Sequence, residues 1–276
     1  MGESIESVIV EQDSSRQFRV LFIHGFRQTA KGFHGRTRAL QKRLNQWGMN
    51  NKDVTFHFEF AEGPHELPYR DGRTVGGPAG EAFRAVGANV FSRPSCSTNL
   101  KRGWLLTQEQ YDELYTLPSG GAGVQEWGPD QFEQQTSGWA ESHRVIESIL
   151  DQLGPFDCIF GFSQGAAIVG ALCALESFRP KEERRFKAAI LASGYVSVAH
   201  LEIFDGCEAK GKIEIPSLHI YGDDAKDGQI SNRKSEELMS KFRESEALRH
   251  GNGHLIPSSK EQVACIAEFI SNTCSL

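Results

Sequence analysis

The sequence has no long hydrophobic run: no apolar stretch approaches the roughly 18 residues that a membrane-spanning helix requires. Basic charge is also scarce, because 30 Lys and Arg residues stand against 36 Asp and Glu, and no dense Lys/Arg block occurs. The resulting net charge of −6 argues against nucleic acid as a partner. Residues 1–14 are polar and acidic, without the basic flank and apolar segment of a secretion signal.

Motifs for metals and cofactors are also missing. Six cysteines occur singly, without a C-x-x-C pair, which predicts free thiols in a reducing compartment and hence a cytoplasmic protein. No H-E-x-x-H motif occurs, and the glycine-rich residues 76–80 do not match a phosphate-binding loop. We therefore expect neither a metal nor a cofactor.

The chain does contain a regular alternation of strand and helix patterns, which predicts an α/β fold with a mostly parallel sheet and helices on both faces. Apolar runs predict strands at residues 7–11, 18–23, 54–60, 157–160, 187–192, 217–221 and 247–249. Spacings of three and four predict helices at residues 31–47, 138–153, 164–176, 232–242 and 258–270. Gly48 is expected to end the first helix, and residues 195–213 resemble a loop.

Between residues 61 and 135 the alternation gives way to turn signals. A structureless loop of this length is uncommon inside a compact domain. We interpret residues 81–135 as a lid inserted into a single domain that spans residues 1–276. The aromatic side chains of the insertion, Trp104 among them, either line an acyl-binding pocket or only hold the insertion against the domain.

Residues 161–165 form a G-x-S-x-G motif centred on Ser163, between an apolar run and a run of small residues. Strand, motif and helix in this order predict a sharp turn that lifts the serine hydroxyl out of the sheet. The motif alone is a weak signal, because glycine and serine are common residues. A serine hydroxyl also needs a base within hydrogen-bond reach and an acid that orients the base.

Four histidines follow Ser163 and are candidates for the base. His219 lies inside a predicted strand, where it is expected to be a core residue. His254 lies in a glycine-rich loop between the last strand and the last helix, and the glycines let its ring turn back toward the strand ends. We predict His254 as the general base, with His250 and His200 as the alternatives.

The acid should follow the strand 217–221, where position alone does not decide between Asp224 and Asp227, with Asp223 as a third candidate. Two backbone N–H groups are needed to stabilise the oxyanion. One is expected from Gln164, directly after the nucleophile. For the other, in the loop after residues 18–23, we choose Phe26 and keep Arg27 as the alternative. His24 in that loop is expected to be structural.

As an ordered set, these motifs resemble the serine hydrolase family abbreviated FSH, a branch of the α/β-hydrolases. That branch includes esterase-like ovarian-cancer-associated proteins and thioesterases that release polyketides. The similar stretches are residues 21–28, 153–167, 192–195, 217–223 and 253–257. The family aspartate falls three residues after a glycine, where this chain has Ala225. The downstream spacing to Ile230 and Ser235 nevertheless fits Asp227, so the resemblance implies Asp227 as the acid.

The resemblance implies a hydrolase that cleaves small-molecule carboxylic esters through Ser163, His254 and Asp227. Further substrate contacts are expected from Trp104, Tyr195 and Leu255. The first alternative is a thioesterase that releases an acyl or polyketide chain from CoA or from an acyl carrier protein. An acidic carrier would need a basic rim, for which the candidates are Lys101, Arg102, Arg179, Lys181, Arg184 and Arg185. The second alternative is a ligand-binding module with vestigial hydrolysis.

Overall fold

The computed structural model describes residues 16–51, 54–67, 101–115, 131–223 and 230–274. The predicted strand 7–11 lies outside these residues, as do Asp224, Asp227 and a large part of the predicted lid. The boundaries of the lid therefore stay a prediction.

The elements are numbered here in chain order. The strands are β1 Arg16–Ile23, β2 Val54–Ala61, β3 His65–Leu67, β4 Lys101–Gly103, β5 Leu106–Thr107, β6 Gln135–Ser137, β7 Phe156–Phe162, β8 Phe186–Ala192, β9 Ser217–Gly222 and β10 Ser245–His250. The α-helices are α1 Ala30–Arg36, α2 Arg38–Asn51, α3 Gln108–Tyr115, α4 Trp139–Leu153, α5 Gln164–Glu176, α6 Leu201–Glu208, α7 Asn232–Ser240 and α8 Lys260–Cys274.

The central sheet runs in the order β10-β9-β8-β7-β1-β2, and every neighbouring pair in it is parallel. Its strands alternate between two hydrophobic cores, because successive side chains of a strand point to opposite faces. On one face Phe22 and Phe160 stack with ring centroids 4.7 Å apart, beneath helices α1, α2 and α8. On the other face Ile159 packs beneath helices α4 to α7. The predicted α/β class, with helices on both faces, is confirmed.

The position of the candidate site follows from the order of the strands. From β1 the chain passes through α1 and α2 to β2 on one side. From β7 it passes through α5 to β8 and onward to β10 on the other side. Where the winding reverses, a crevice forms at the carboxyl ends of the two strands, and ligands bind there in such sheets. The loops after Ile23 and Phe162 both begin at this crevice.

The predicted helix 31–47 is wrong in two respects. It is two helices, α1 and α2, because the Thr37 hydroxyl donates to the Phe33 carbonyl and ends the first of them. Gly48 does not end α2, which continues to Asn51. A Cβ at Gly48 would lie 2.3 Å from the Val54 carbonyl oxygen, so this glycine permits a close contact between α2 and β2.

The prediction of a loop at 195–213 is also wrong, because α6 lies within it. Of its apolar side chains only Phe204 and Cys207, three residues apart, are buried, whereas Leu201 and Ile203 stay at least partly exposed. Gly206 between them weakens the helical pattern in the sequence. So short a helix is stabilised by packing rather than by propensity.

The described parts of the insertion are joined to one another through His65. Its Nδ1 accepts a hydrogen bond from the Tyr115 hydroxyl at 2.9 Å, and its Nε2 donates to the Gly138 carbonyl at 2.9 Å. Burial lowers the pKa of His65, which keeps the ring neutral in these roles. β3 pairs with β4, and β5 pairs with β6, both antiparallel. His65 thus links the start of β3 to the end of α3 and to the start of α4.

Five cysteines are free thiols in the described residues, and Cys96 lies outside them. Burial raises the pKa of Cys158 and Cys173 well above that of an exposed thiol. Across the described ranges, no helix combines the length and the apolar character needed to cross a bilayer. The cytoplasmic location stays a prediction.

Candidate active site

Ser163 occupies the turn between β7 and α5. Its backbone has φ 54° and ψ −117°, a conformation that costs about 1–3 kcal/mol for a residue with a side chain. Two contacts hold the turn: the Ser163 amide donates to the Ala192 carbonyl, and the Ser163 carbonyl accepts from the Ala166 and Ala167 amides. The predicted sharp turn is present, with the serine at its apex.

The two glycines of the motif are required by close backbone contacts. A Cβ at Gly161 would lie 2.4 Å from the Gly165 carbonyl oxygen. A Cβ at Gly165 would lie 2.2 Å from the carbonyl oxygen of Ile23. No side chain fits at such distances, so α5 can approach β1 and β7 only through glycine.

The loop after β1 lies against the nucleophile. A Cβ placed on Gly25 would be 3.4 Å from the Cβ of Ser163. Within the described residues, the amides of Phe26 and Gln164 donate to no protein acceptor, whereas the Gly25 amide donates to the Gln28 side chain at 3.1 Å. Among the described residues, these two N–H groups near the nucleophile thus have no acceptor, and their role as oxyanion donors stays a prediction.

His24 orients the peptide group that carries the Phe26 amide. Its Nε2 accepts from the Gly63 amide at 3.0 Å, so Nδ1 carries the proton and donates to the Gly25 carbonyl at 2.8 Å. That carbonyl belongs to the same peptide plane as the Phe26 N–H, which therefore points away from the imidazole. Burial lowers the pKa of His24 to about 4 and keeps the ring neutral at physiological pH. The structural role predicted for His24 agrees with these contacts.

Glu62 lies beside His24, with its Oε1 3.7 Å from His24 Nε2 and from Arg102 Nε. Its Oε2 accepts from the Ala30 amide at the start of α1. Burial raises the pKa of Glu62 to about 7, and the Arg102 guanidinium opposes that rise. The sequence patterns gave no indication of this carboxyl group.

The side chain of Gln164 is completely engaged by the insertion. Its Oε1 accepts from the Trp104 amide at 2.7 Å. Its Nε2 donates to the Leu105 carbonyl at 2.9 Å and to Gln135 Oε1 at 2.6 Å. Sequence reasoning assigned only the backbone of Gln164. The available signal was a single amide side chain in the first turn of an otherwise apolar, buried helix.

Trp104, predicted to contact substrate, has no exposed surface and lies under the loop after β1. Its indole N–H donates to the His24 carbonyl at 2.9 Å, and the two rings are 5.1 Å apart. These contacts match the second interpretation of the insertion's aromatics, in which they hold the insertion in place. A substrate contact for Trp104 stays a prediction.

His254 lies in the loop after β10, at the same edge of the sheet as Ser163. Gly253 precedes it with φ 67°. A Cβ on Gly222 would lie 2.0 Å from the carbonyl oxygen of Gly253. This close approach brings the loop over the end of β9. The His254 ring is 5.0 Å from the ring of Phe162, the residue before the nucleophile. The role of His254 as general base stays a prediction, supported by this proximity.

The other three candidate histidines are less suitably placed. His219 is buried in β9 with its ring 5.0 Å from Phe242, and burial lowers its pKa to about 3. His200 is buried against Trp139, and burial lowers its pKa to about 3 as well. His250 Nδ1 accepts from the Asn252 amide and so is engaged in its own loop.

Of the three acid candidates, Asp224 and Asp227 lie outside the described residues, but the ends of their loop are fixed. The Asp223 amide donates to the His250 carbonyl, which joins one end to β10. At the other end Ser231 caps α7, and the Ser235 hydroxyl donates to the Gly194 carbonyl at 2.9 Å. The loop therefore starts and ends at the carboxyl edge of the sheet, beside the loop that carries His254.

The two remaining predicted substrate contacts differ in exposure. Leu255 is 57% exposed, next to His254. Tyr195 is 1% exposed and packs edge-on against Phe132 of the insertion, with ring centroids 4.9 Å apart. The Tyr195 hydroxyl has no hydrogen-bond partner in the described part of the chain, and burial raises the pKa of this hydroxyl. In the same described ranges, no cluster of three His, Cys, Asp or Glu side chains could hold a metal ion.

Several solved structures share the fold. SOBER1 of Arabidopsis thaliana superposes with a TM-score of 0.54 at 16% identity, covering 94% of this chain and 99% of that one. Acyl-protein thioesterase 2 of Zea mays superposes with a TM-score of 0.53 at 13% identity, covering 96% and 97%. The match extends over nearly the whole of each chain, and the fold is that of the α/β-hydrolases.

Relatives found by sequence have higher identity to this chain than these solved structures do. Rhodanese-like domain-containing protein 6 of Arabidopsis thaliana is 32% identical over 94% of this chain, which spans only 39% of that protein. Esterase OVCA2 of Danio rerio is 29% identical over 93% of this chain and 98% of its own. The family profile described as Serine hydrolase (FSH1) matches residues 14–266. The resemblance read from the motifs is thereby confirmed, and the chain belongs to the FSH1 family of serine hydrolases.

Proposed function

We propose that the protein is an esterase that hydrolyses carboxylic esters through an acyl-enzyme on Ser163. The Ser163 hydroxyl attacks the ester carbonyl, His254 accepts its proton and then protonates the leaving alcohol, and Asp227 orients the imidazole. The N–H groups of Phe26 and Gln164 stabilise the oxyanion. Water activated by His254 then releases the acid and restores the enzyme.

The observation that supports this proposal most is the conformation of Ser163, near two N–H groups that have no acceptor in the described part of the chain. A strained φ of 54° and unused donors both cost free energy in the resting protein. Such costs persist where they serve chemistry, and a tetrahedral oxyanion would use both donors. Losing one such donor typically costs about 3 kcal/mol of transition-state stabilisation.

The test of the nucleophile is Ser163→Ala, assayed with p-nitrophenyl butyrate and with a fluorophosphonate probe. We expect hydrolysis to fall by about 10⁴-fold or more and labelling to disappear. Ser240→Ala, at an exposed position in α7, is the matched control and should keep both. Full labelling of the Ser163→Ala protein would reject the proposal.

The acid is tested by comparing Asp227→Asn with Asp224→Asn. We expect Asp227→Asn to lower kcat by about 10⁴-fold, because the imidazole loses its orienting partner. Asp224→Asn should stay within a few-fold of the unmodified protein. The reverse result would assign the acid to Asp224 and leave the rest of the mechanism intact.

For the carrier-protein alternative, most candidates for the basic rim among the described residues either lie away from Ser163 or are paired with carboxylates. Residues 179–185 precede β8 and so lie at the amino edge of the sheet, opposite Ser163. Arg184 and Arg185 there are paired with carboxylates, and Arg102 is paired with Glu66. Acyl-CoA thioesters and p-nitrophenyl esters of varied chain length distinguish a thioesterase from an esterase. Fast hydrolysis of either class of substrate, with multiple turnovers, would exclude a pure binding module.

A further inference from the structure

We propose that the side chains of Gln164 and Trp104 form one positioning relay that aligns the two oxyanion N–H groups with each other. In this view the insertion is part of the hydrolytic machinery and not only its cover. The inference rests on the proposed function, because it takes the amides of Phe26 and Gln164 as the oxyanion donors.

The first link runs from the nucleophile turn to the insertion. The Gln164 backbone supplies one donor, while its side-chain oxygen accepts from the Trp104 amide at 2.7 Å. The side-chain nitrogen also binds the Leu105 carbonyl, so both hydrogen-bonding ends of the amide engage the same short stretch. Gln164 is 1% exposed, and a buried amide with all these bonds made has a single favourable orientation.

The second link runs from the insertion to the loop after β1. The Trp104 indole donates to the His24 carbonyl, and its ring packs on the imidazole. His24 in turn holds the Gly25 carbonyl, whose peptide plane carries the Phe26 N–H. Each donor is therefore tied to the other through Trp104, and an oxyanion bound to both N–H groups would close this series of contacts into a ring.

Trp104 is itself fixed by a contact with α4, so it can hold the loop after β1 in place. Its carbonyl accepts from the Ser142 hydroxyl of α4 at 2.5 Å, and the whole residue is buried. The indole can therefore not follow the loop if the loop shifts. Without the indole N–H, the His24–Gly25 segment loses a fixed point, and the Phe26 N–H can rotate away from the oxyanion. Misplacement of about 1 Å in a catalytic group can cost about 100-fold in rate.

The test combines Trp104→Phe, which removes the indole N–H, with Gln164→Met, which removes the amide at similar volume. Each is expected to lower kcat by about 10–100-fold with little change in KM. The double variant should be little slower than either single one, because both break the same ring. A trifluoromethyl ketone, which forms an oxyanion on the serine, should lose affinity by the same factor as kcat/KM.

Tyr115→Phe is the control, because it releases the insertion at His65 without touching the ring of contacts. It should keep kcat and inhibitor affinity, whatever it does to thermal stability. If Trp104→Phe does not fold, 3-benzothienylalanine at position 104 keeps the shape of the ring and removes only the N–H.

Three results would overturn the relay: unchanged kcat without the indole N–H, losses that multiply in the double variant, or an equal loss in Tyr115→Phe. These results differ from those that would reject the proposed function. The proposed function is rejected if Ser163→Ala retains activity. The relay alone is rejected if Ser163→Ala is inactive and one of the three results above is found.

Discussion

The two edges of the central sheet differ sharply in how their polar groups are satisfied. At the amino edge, Arg185 binds Glu147, Asp151 and Glu176 at once. Asp157 beside it accepts from the Arg19 amide and from Lys187. The charges of this network meet partners of opposite sign at hydrogen-bond distance.

The carboxyl edge has the opposite character. Three residues with side chains have positive φ there, and they follow the neighbouring strands β1, β7 and β8: Arg27, Ser163 and Ser193. Two amides and the buried Tyr195 hydroxyl at this edge have no partner among the described residues. Backbone strain is thus concentrated where the reaction is proposed to occur, and these three groups without a partner lie beside it.

This difference indicates that the two edges of the sheet have different roles. Folded domains tolerate strained backbone only where the surrounding structure over-determines it. Here the surrounding structure consists of the parallel sheet, the two cores and the charge network at the amino edge. Changes at the amino edge should therefore reduce stability with little effect on catalysis per folded molecule, and changes at the carboxyl edge should affect catalysis.

The largest effect on stability is expected from Arg185→Met. The substitution removes the main cation from Glu176, whose side chain is 1% exposed, so a buried carboxylate loses its principal partner. We expect a loss of about 3 kcal/mol in the free energy of unfolding, measured by urea denaturation. The kcat of the folded fraction should be unchanged.

Arg249→Met provides the control, because Arg249 pairs with Glu236 and both side chains are exposed. Exposed pairs contribute little to stability, so this variant should be nearly as stable as the unmodified protein. Equal losses in the two variants would show that the amino-edge network has no special role.

The next effect, at the carboxyl edge, is expected from Gly165→Ala. The added Cβ would lie 2.2 Å from the Ile23 carbonyl, which forces α5 away from β1. We expect a loss of about 2 kcal/mol in stability together with a large loss of kcat, because α5 carries the Gln164 donor. Gly206→Ala in α6, where a Cβ meets nothing within 4 Å, should instead stabilise by about 0.5–1 kcal/mol. A Gly165→Ala protein with normal kcat would contradict the tight contact at the turn.

The six strands of the central sheet and the turn at Ser163 could be predicted from the sequence because local patterns encode them, whereas the short strands β3 to β6 were not predicted. Buried parallel strands appear as continuous apolar runs, and the G-x-S-x-G motif describes a backbone turn that few other sequences fit. The observed β7 extends the predicted strand by one residue at its start and two at its end, and β8 extends its predicted strand by one residue at the start.

The contacts between the insertion and the turn could not be predicted in this way. Trp104 and Gln164 are 60 residues apart in the chain, and no periodicity marks the stretch around Trp104. Their pairing depends on tertiary structure, because a buried amide must find partners wherever the folded chain offers them. The acid is a different case, since several aspartates share one loop and spacing alone does not separate them.

A smaller, pH-dependent effect is expected from Glu62→Gln at the carboxyl edge. Burial raises the pKa of Glu62 from 4.5 to about 7, so between these values the unfolded chain ionises while the folded protein stays protonated. Stability contributed by this group therefore falls as pH rises through that window and is fully lost above it. The glutamine removes this dependence.

The urea midpoints of both proteins at pH 5 and pH 8 test this effect. Because the Glu62 side chain is about a third exposed, we expect the variant to gain only about 1.5 kcal/mol more at pH 8 than at pH 5, relative to the unmodified protein. Comparing the two proteins at each pH cancels the contributions of the buried histidines. A gain of equal size at both values would show that Glu62 titrates normally.

The smallest effect is expected from Tyr195→Phe, which removes a buried hydroxyl that has no partner among the described residues. Stability should rise by up to about 1 kcal/mol, because the unfolded chain no longer loses hydration of that group on folding. If the hydroxyl contacts substrate, rates should fall for acyl groups that carry an oxygen near the carbonyl and stay unchanged for plain alkyl esters. A loss of stability would show that the Tyr195 hydroxyl has a hydrogen-bond partner, like the charged groups of the amino edge. The contrast between the edges would then depend on backbone strain and the two amides alone.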